Sequence, residues 1–135
     1  MKREIKFKAK VKYNGNHLLV NSWVFGSVIY KTSGVFIYVI EEDDFGNVIR
    51  EFETEVINET VCQFTGLKDK NGVDVFEGDV EKSGCVIHWC YHRNGWALAS
   101  YDSTDFVTCH CYDCEGDFEI SEDIKDLEIT VNIHD

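Results

Sequence analysis

Apolar and polar residues alternate along most of the chain. In the first segment, apolar residues occupy positions 5, 7, 9, 11 and 13, and lysines occupy positions 6, 8, 10 and 12. Because successive side chains of a β-strand point to opposite faces, this spacing predicts a strand with one apolar face and one basic face. The basic face has two interpretations: a track for phosphate groups, or charge that protects an edge or half-exposed strand from aggregation.

Similar segments recur along the rest of the chain. Further strands are predicted over residues 18–30, 35–40, 49–57, 61–67, 73–76, 85–91, 96–101 and 127–133. Turns are predicted at Asn14-Gly15, Thr32-Ser33-Gly34 and Lys68–Gly72, and Gly26 is expected to mark a bulge or a close approach of two backbones. Only residues 121–126 have the pattern of a short helical turn.

The predicted architecture is therefore mainly β, with small twisted sheets or SH3-like barrel-type subdomains and at most a short helical turn. The length of 135 residues suits one domain over residues 1–135. Two β subdomains, about 1–55 and 56–135, are the alternative arrangement within it.

Composition and charge narrow the classes of function. Hydrophobic residues make up 44% of the chain, enough for a packed core, and no apolar run is long enough to span a membrane. No apolar secretory segment follows the N-terminus, so we expect a cytoplasmic protein. The net charge of −12 argues against general binding of nucleic acid. The charge is uneven, with +5 over residues 1–12 and −10 over residues 102–135.

Six cysteines raise the question of a metal site. The weak candidates for zinc ligands are Cys90, Cys109, Cys111 and Cys114, of which only the last two have the C-x₂-C spacing of structural zinc sites. The alternative is that these cysteines are small, partly buried apolar residues and free thiols. Neither a metal nor another cofactor is predicted, and no nucleotide-binding or hydrolase motif occurs in the sequence.

One block of the sequence is specific. Residues 56–80, VINETVCQFTGLKDKNGVDVFEGDV, resemble the signature of the YopX family, small proteins encoded by bacteriophages and prophages. Residues 3–9, 23–27, 95–96 and 127–135 also resemble segments of that family. The chain departs from the pattern at Asn58, where many members carry proline, at Cys62, where many carry glycine, and in an apparent insertion over residues 17–22.

The resemblance implies a β-rich fold and supplies no catalytic residues. The residues of the signature loop, whose role is unknown, are Thr65, Gly66, Leu67, Asp69, Asn71, Gly72, Phe76, Glu77, Gly78 and Asp79. Gly66 and Gly72 suit turn positions, and Asp69 and Asp79 are expected to accept hydrogen bonds from neighbouring backbone N–H groups. The loop is interpreted either as scaffold or as a binding site.

Two functions are consistent with these observations. The first is a phage- or prophage-encoded accessory protein that is not an enzyme and binds a host or phage protein through an acidic surface. The target of such a protein is a basic site, for example one that otherwise holds DNA. The alternative is a nucleic-acid-associated or zinc-binding small β-barrel module that uses the lysine face. Exposed strand edges are also compatible with a homo-oligomer.

Overall fold

The computed structural model of the chain describes residues 5–82, 84–90, 95–99, 118–119 and 127–135. The chain divides into two compact units, Met1–Phe64 and Thr65–Asp135. The predicted subdivision near residues 55 and 56 stays a prediction.

The first unit is an antiparallel sheet. Its strands are β1 (Phe7–Lys10), β2 (Trp23–Lys31), β3 (Gly34–Glu42), β4 (Val48–Val56) and the beginning of β5 (Cys62–Lys68). The strands lie in the order β4-β3-β2-β1-β5. A 3₁₀ turn, Asn58–Thr60, precedes β5. A bridge between Val11 and Val56 joins the end of the first strand to the end of the fourth.

The core of the first unit follows from the alternation of its strands. Ala9, Val11 and Ile37 are completely buried, and Val24 and Val56 are nearly so. They belong to one hydrophobic cluster, as expected if alternate positions of each strand face inward. Burial of this cluster is the main source of stability for the unit.

Gly26 allows two strands of the first unit to approach closely. A Cβ atom built at this position would overlap the carbonyl oxygen of Tyr38 on β3. The sequence prediction of a close approach at Gly26 is therefore confirmed, and any larger residue would push β2 away from β3.

The second unit begins within β5, whose neighbour is β6 (Asp74–Phe76). A five-stranded antiparallel sheet follows, built from β7 (Asp79–Glu81), β8 (Val86–Cys90), β9 (Gly95–Ala99), β10 (Phe118–Glu119) and β11 (Ile129–Asn132). Its strands lie in the order β10-β9-β8-β7-β11. Val75, Ile87 and Leu127 form its buried cluster.

The mainly β prediction is confirmed, and within the described ranges the strands form open sheets rather than closed barrels. The turn predicted at Thr32-Ser33-Gly34 joins β2 to β3, and Gly34 is already the first residue of β3, opposite Lys31. The predicted helical turn at residues 121–126 lies outside the described residues. No helix in the described part of the chain is long and apolar enough to cross a membrane.

β1 lies between β2 and β5 and is half-buried, so it is the half-exposed strand of the prediction rather than an edge strand. One local prediction is wrong. The turn at Asn14-Gly15 does not place its left-handed residue at Gly15: positive φ angles occur at Asn16 (48°), His17 (56°) and Asn21 (66°). β2 accordingly begins at residue 23 rather than at residue 18, because residues 11–22 form a long loop.

Candidate functional site

The signature loop forms a connected set of turns in the second unit. Its residues run from β5 through β6 to the beginning of β7. Two of them, Asp69 and Asp79, are carboxylates that are only 6% and 2% exposed. The geometry of the loop depends on these two side chains, because a buried carboxylate needs hydrogen-bond donors.

Asp69 organises the turn between β5 and β6. Its Oδ1 accepts hydrogen bonds from the backbone N–H groups of Asn71 (2.8 Å) and Val73 (2.9 Å). Its Oδ2 accepts the backbone N–H of Ile129, the first residue of β11, at 3.1 Å. One side chain therefore closes a turn and attaches a strand that lies 60 residues later in the sequence.

The surroundings of Asp69 favour its charged form. Burial alone would raise the pKa of the carboxyl group, but three backbone N–H donors and the positive charge of Lys70 outweigh this effect. The pKa of Asp69 therefore lies below its usual value. A carboxylate that already accepts three hydrogen bonds is suited to holding the fold together.

Asp79 has an equivalent role at the next turn. Its Oδ2 accepts the backbone N–H of Phe76 at 2.8 Å, and its Oδ1 accepts the side-chain Nδ2 of Asn132 at 2.9 Å. The same Nδ2 donates to the carbonyl of Glu77 at 3.2 Å, and Oδ1 of Asn132 accepts the N–H of His134 at 3.0 Å. The amide of Asn132 thus connects the signature loop to the C-terminal strand.

The other residues of the loop complete the scaffold. The Thr65 hydroxyl donates to the carbonyl of Val75 at 2.7 Å and accepts the N–H of Leu67 at 3.1 Å. Gly66 (φ 86°) and Gly72 (φ 79°) adopt the left-handed conformation that the sequence predicted. Phe76 is 3% exposed, and Leu67 packs against the buried cluster of the second unit.

These contacts support the scaffold interpretation of the signature loop. Its buried polar groups bind backbone groups and the Asn132 side chain of the same unit, and no buried side-chain nitrogen or oxygen in the described ranges lacks a partner. The exposed residues of the loop are Gly66, Asn71 and Gly72, and the last two form the tip of the turn between β5 and β6. The binding-site interpretation of the loop stays a prediction.

The basic face of β1 lies over aromatic rings. The Nζ of Lys8 is 4.4 Å and that of Lys10 is 5.4 Å from the centroid of the Trp23 ring, and the Nζ of Lys6 is 4.6 Å from that of Phe64. At these distances an ammonium group is attracted to the face of a ring. Lys8, Lys10 and Trp23, which the sequence presents in separate sets, therefore lie together on one surface, while the Phe64 ring below Lys6 is only 7% exposed.

A cluster that sequence reasoning missed holds the loop of residues 11–22. Glu41 Oε2 accepts hydrogen bonds from Arg50 Nε (2.9 Å) and Nη2 (2.5 Å), and Arg50 Nη1 lies 3.2 Å from Nδ1 of His17. The hydrogen bond from Arg50 is the main reason why the pKa of Glu41 is lowered. The His17 ring also contacts Phe52 edge to face. The opposite charges of Glu41 and Arg50 were the sequence signal for this cluster. They become neighbours only through the register of the β3–β4 hairpin, in which the two residues are opposite each other.

The zinc candidates lie mostly outside the described residues. This is the case for Cys109, Cys111 and Cys114, and of Cys90 the structure describes only the backbone in β8. In the described ranges there is no group of three or more His, Cys, Asp or Glu residues that could hold a metal ion. The zinc hypothesis therefore stays a prediction.

The two units differ strongly in charge. Residues 1–64 contain 8 Lys and Arg against 9 Asp and Glu, a net charge of −1. Residues 65–135 contain 5 Lys and Arg against 16 Asp and Glu, a net charge of −11. The unit that contains the signature loop thus carries nearly all of the net negative charge.

Comparison with known proteins agrees with the pattern seen in the sequence. The family model described as YopX protein matches residues 6–135, nearly the whole chain and most of both units. No curated protein matches the chain. The match includes all ten residues of the signature loop, so the turns organised by Asp69 and Asp79 are part of the matched region.

Proposed function

The chain belongs to the YopX family, and we propose that it is a non-enzymatic interaction module whose acidic second unit binds a basic site on a protein partner. The observation that carries the proposal is the concentration of charge, −11 of the total −12, in residues 65–135. A localised field of one sign attracts an oppositely charged surface and accelerates association. The partner is a host or phage protein, in line with the phage and prophage origin that the resemblance implies.

The scaffold contacts of the signature loop support this proposal. Asp69 and Asp79 are buried and hydrogen-bonded, so they stabilise the unit rather than contribute to its outer surface. A loop that such hydrogen bonds already hold in place loses less conformational entropy on binding than a flexible loop, which favours affinity. The basic sites that such a unit fits include those that otherwise bind the phosphates of DNA.

The experiment is a pull-down with the tagged full-length chain from a bacterial host lysate, with and without nuclease. A captured protein is then purified and its affinity is measured at increasing salt concentration, with and without duplex DNA as a competitor. We expect capture to survive nuclease treatment, affinity to fall by at least about tenfold between low and physiological salt, and DNA to compete.

A matched pair of variants locates the binding surface. The triple variant Asp117→Asn/Glu122→Gln/Asp123→Asn removes three charges from the second unit, and Glu42→Gln/Asp44→Asn/Glu59→Gln removes three from the first. We expect only the first variant to weaken binding. Equal affinities for both variants, or binding that salt does not weaken, would contradict the proposal.

A second candidate function rests on the basic face of β1. Lys8 and Lys10 lie over Trp23, and a surface of lysines and aromatic rings suits single-stranded nucleic acid, in which bases stack and phosphates need cations. Capture that disappears with nuclease would favour this function. A titration of tryptophan fluorescence with an oligonucleotide tests it directly, and Lys8→Gln/Lys10→Gln should then weaken binding and reduce its salt dependence.

A further inference from the structure

The turn between β3 and β4 exposes apolar side chains on the first unit. Phe45, in the middle of this turn, is 90% exposed and is the most exposed of the large hydrophobic residues in the described ranges. Val48 and Ile49, at the beginning of β4, are 55% and 62% exposed. Single exposed apolar residues are common, but three of them so close together are typical of a contact with another molecule.

The carboxylate of Asp43 holds the turn in shape. Its Oδ1 accepts the backbone N–H groups of Phe45 and Asn47, both at 2.9 Å, and its Oδ2 accepts Nδ2 of Asn47 at 3.1 Å. The backbone N–H of Asp43 also donates to the carbonyl of Asn47 at 2.9 Å, and that of Gly46 donates to the carbonyl of Asp43 at 3.1 Å. The donors of Asn47 are the main reason why the pKa of Asp43 is lowered, so this carboxylate is charged at neutral pH.

The ring of Phe45 is therefore presented by a fixed turn. Because the ring is almost fully exposed, it contributes little to the core of the first unit. An aromatic side chain on a fixed backbone loses little conformational entropy when a pocket buries it, and aromatic residues are often the anchors of protein interfaces. The turn is thus suited to inserting its ring into another molecule.

The charges around the ring indicate what kind of molecule can receive it. Residues 42–49 contain three carboxylates, Glu42, Asp43 and Asp44, and no Lys or Arg. Glu42 and Asp44 are exposed and form no ion pair with the described residues. Anionic lipid headgroups and the phosphates of nucleic acid would repel this turn. A protein pocket that is apolar inside and carries Lys or Arg at its rim complements both the ring and the charges beside it.

We propose that the β3–β4 turn is a docking element, whose Phe45 ring inserts into an apolar pocket with a basic rim on a protein partner. Val48 and Ile49 extend the apolar contact, and Glu42 and Asp44 meet the basic residues of the rim. This contact belongs to the first unit and goes beyond the proposed function, because it concerns a different protein from the partner of the acidic second unit. The chain then connects two proteins.

Photo-crosslinking of the full-length chain in bacterial host cells identifies the molecule that the turn contacts. The photoreactive analogue p-benzoylphenylalanine replaces Phe45 in one variant and Tyr30, an exposed aromatic residue of β2, in the matched control. We expect a discrete crosslink to one protein from position 45 and no crosslink to that protein from position 30. The absence of a discrete protein crosslink from position 45, or crosslinks to lipid or nucleic acid instead, would overturn the proposal.

The affinity of the purified crosslinked protein then shows whether the ring carries the binding. Phe45→Ser changes an almost fully exposed position, so the variant should fold like the wild type by circular dichroism and bind at least about tenfold more weakly. Tyr30→Ser is the matched control and should bind like the wild type. Equal affinities of Phe45→Ser and the wild type would overturn the proposal.

Two charge variants separate this contact from that of the acidic unit. Glu42→Gln/Asp44→Asn should weaken the binding of the crosslinked protein and reduce its salt dependence, because the basic rim loses its counter-charges. Asp117→Asn/Glu122→Gln/Asp123→Asn in the second unit should leave this binding unchanged. The opposite pattern would show that the crosslinked protein binds the acidic unit, which would overturn this proposal without contradicting the proposed function.

Discussion

The carboxylate of Asp79 and the side-chain amide of Asn132, which are 53 residues apart in the sequence, form a buried hydrogen bond of 2.9 Å. It joins the signature loop to the last strand of the second unit. Because the same amide donates to the carbonyl of Glu77 and accepts from the backbone of His134, three segments depend on one side chain. The loop and the C-terminal segment should therefore unfold together.

The first prediction follows from this pair. Asn132→Asp replaces the amide donor by a second buried carboxylate beside Asp79, which leaves an uncompensated charge, and we expect a loss of about 3 kcal/mol in the free energy of unfolding. Urea denaturation at pH 7 measures it. Asn71→Asp makes the same chemical change at an exposed position and should cost much less; equal losses would mean that the Asp79–Asn132 bond is not important for stability.

A second prediction concerns pH. The variant Asp69→Asn keeps one acceptor oxygen at this position but directs an NH₂ donor at a backbone N–H that needs an acceptor. We expect it to lower the free energy of unfolding by about 2 kcal/mol at neutral pH. The pKa of Asp69 is lower in the folded protein than in the unfolded chain, where it is about 3.9. The charge of Asp69 therefore stabilises the fold at pH values above about 3.9. This stabilisation is lost as the pH falls through the pKa of the folded protein.

The wild type and the Asp69→Asn variant should therefore differ most at neutral pH and converge in acid. Thermal unfolding at pH values from 3 to about 7 measures this convergence. A difference in stability that stays constant over the whole range would show that the charge of Asp69 is not involved.

Alternation and turn residues were sufficient to predict most of the strands. The turn at Thr32-Ser33-Gly34 and the left-handed glycines Gly66 and Gly72 were predictable because each depends on neighbours in sequence. The strand ends that flank the β2–β3 and β3–β4 turns follow from the same local pattern, whereas the beginning of β2 does not.

Contacts between distant segments were not predictable from one sequence. The hydrogen bond between Asp79 and Asn132 depends on the register of β7 and β11, which no local pattern specifies. The interior position of β1 depends on its pairing with β5, more than 50 residues later. The loop of residues 11–22 was misread because Asn16 and His17, rather than Gly15, adopt positive φ angles.

A third prediction concerns the packing of β2 against β3. Gly26→Ala places a methyl group on the carbonyl oxygen of Tyr38, so the strands must separate, and we expect a loss of about 2–3 kcal/mol. Differential scanning calorimetry should show a clearly lower melting temperature. Gly15→Ala is the control, because a Cβ atom at position 15 would meet no atom within 4 Å. If both variants melt at the same temperature, the close approach at Gly26 does not contribute to stability.

The last prediction concerns the loop of residues 11–22, which Arg50 of β4 attaches to the sheet. The guanidinium group of Arg50 joins Glu41 of β3 to His17 of the loop. Within the loop, the backbone N–H of Val20 donates to Asn14 Oδ1. Arg50→Gln removes the charge that holds Glu41, so residues 14–22 should open more often. The effect should be local, since this ion pair lies at the surface.

Hydrogen exchange followed by mass spectrometry measures that opening. Peptides covering residues 14–22 should exchange several-fold faster in Arg50→Gln, while those from β2 and β3 keep their protection. Lys31→Gln, which breaks the surface pair of Lys31 with Glu53, is the control and should leave the loop unchanged. Unchanged exchange in the loop of Arg50→Gln would mean that the hydrogen bonds of its own backbone hold it, and that the cluster of His17, Glu41 and Arg50 is dispensable.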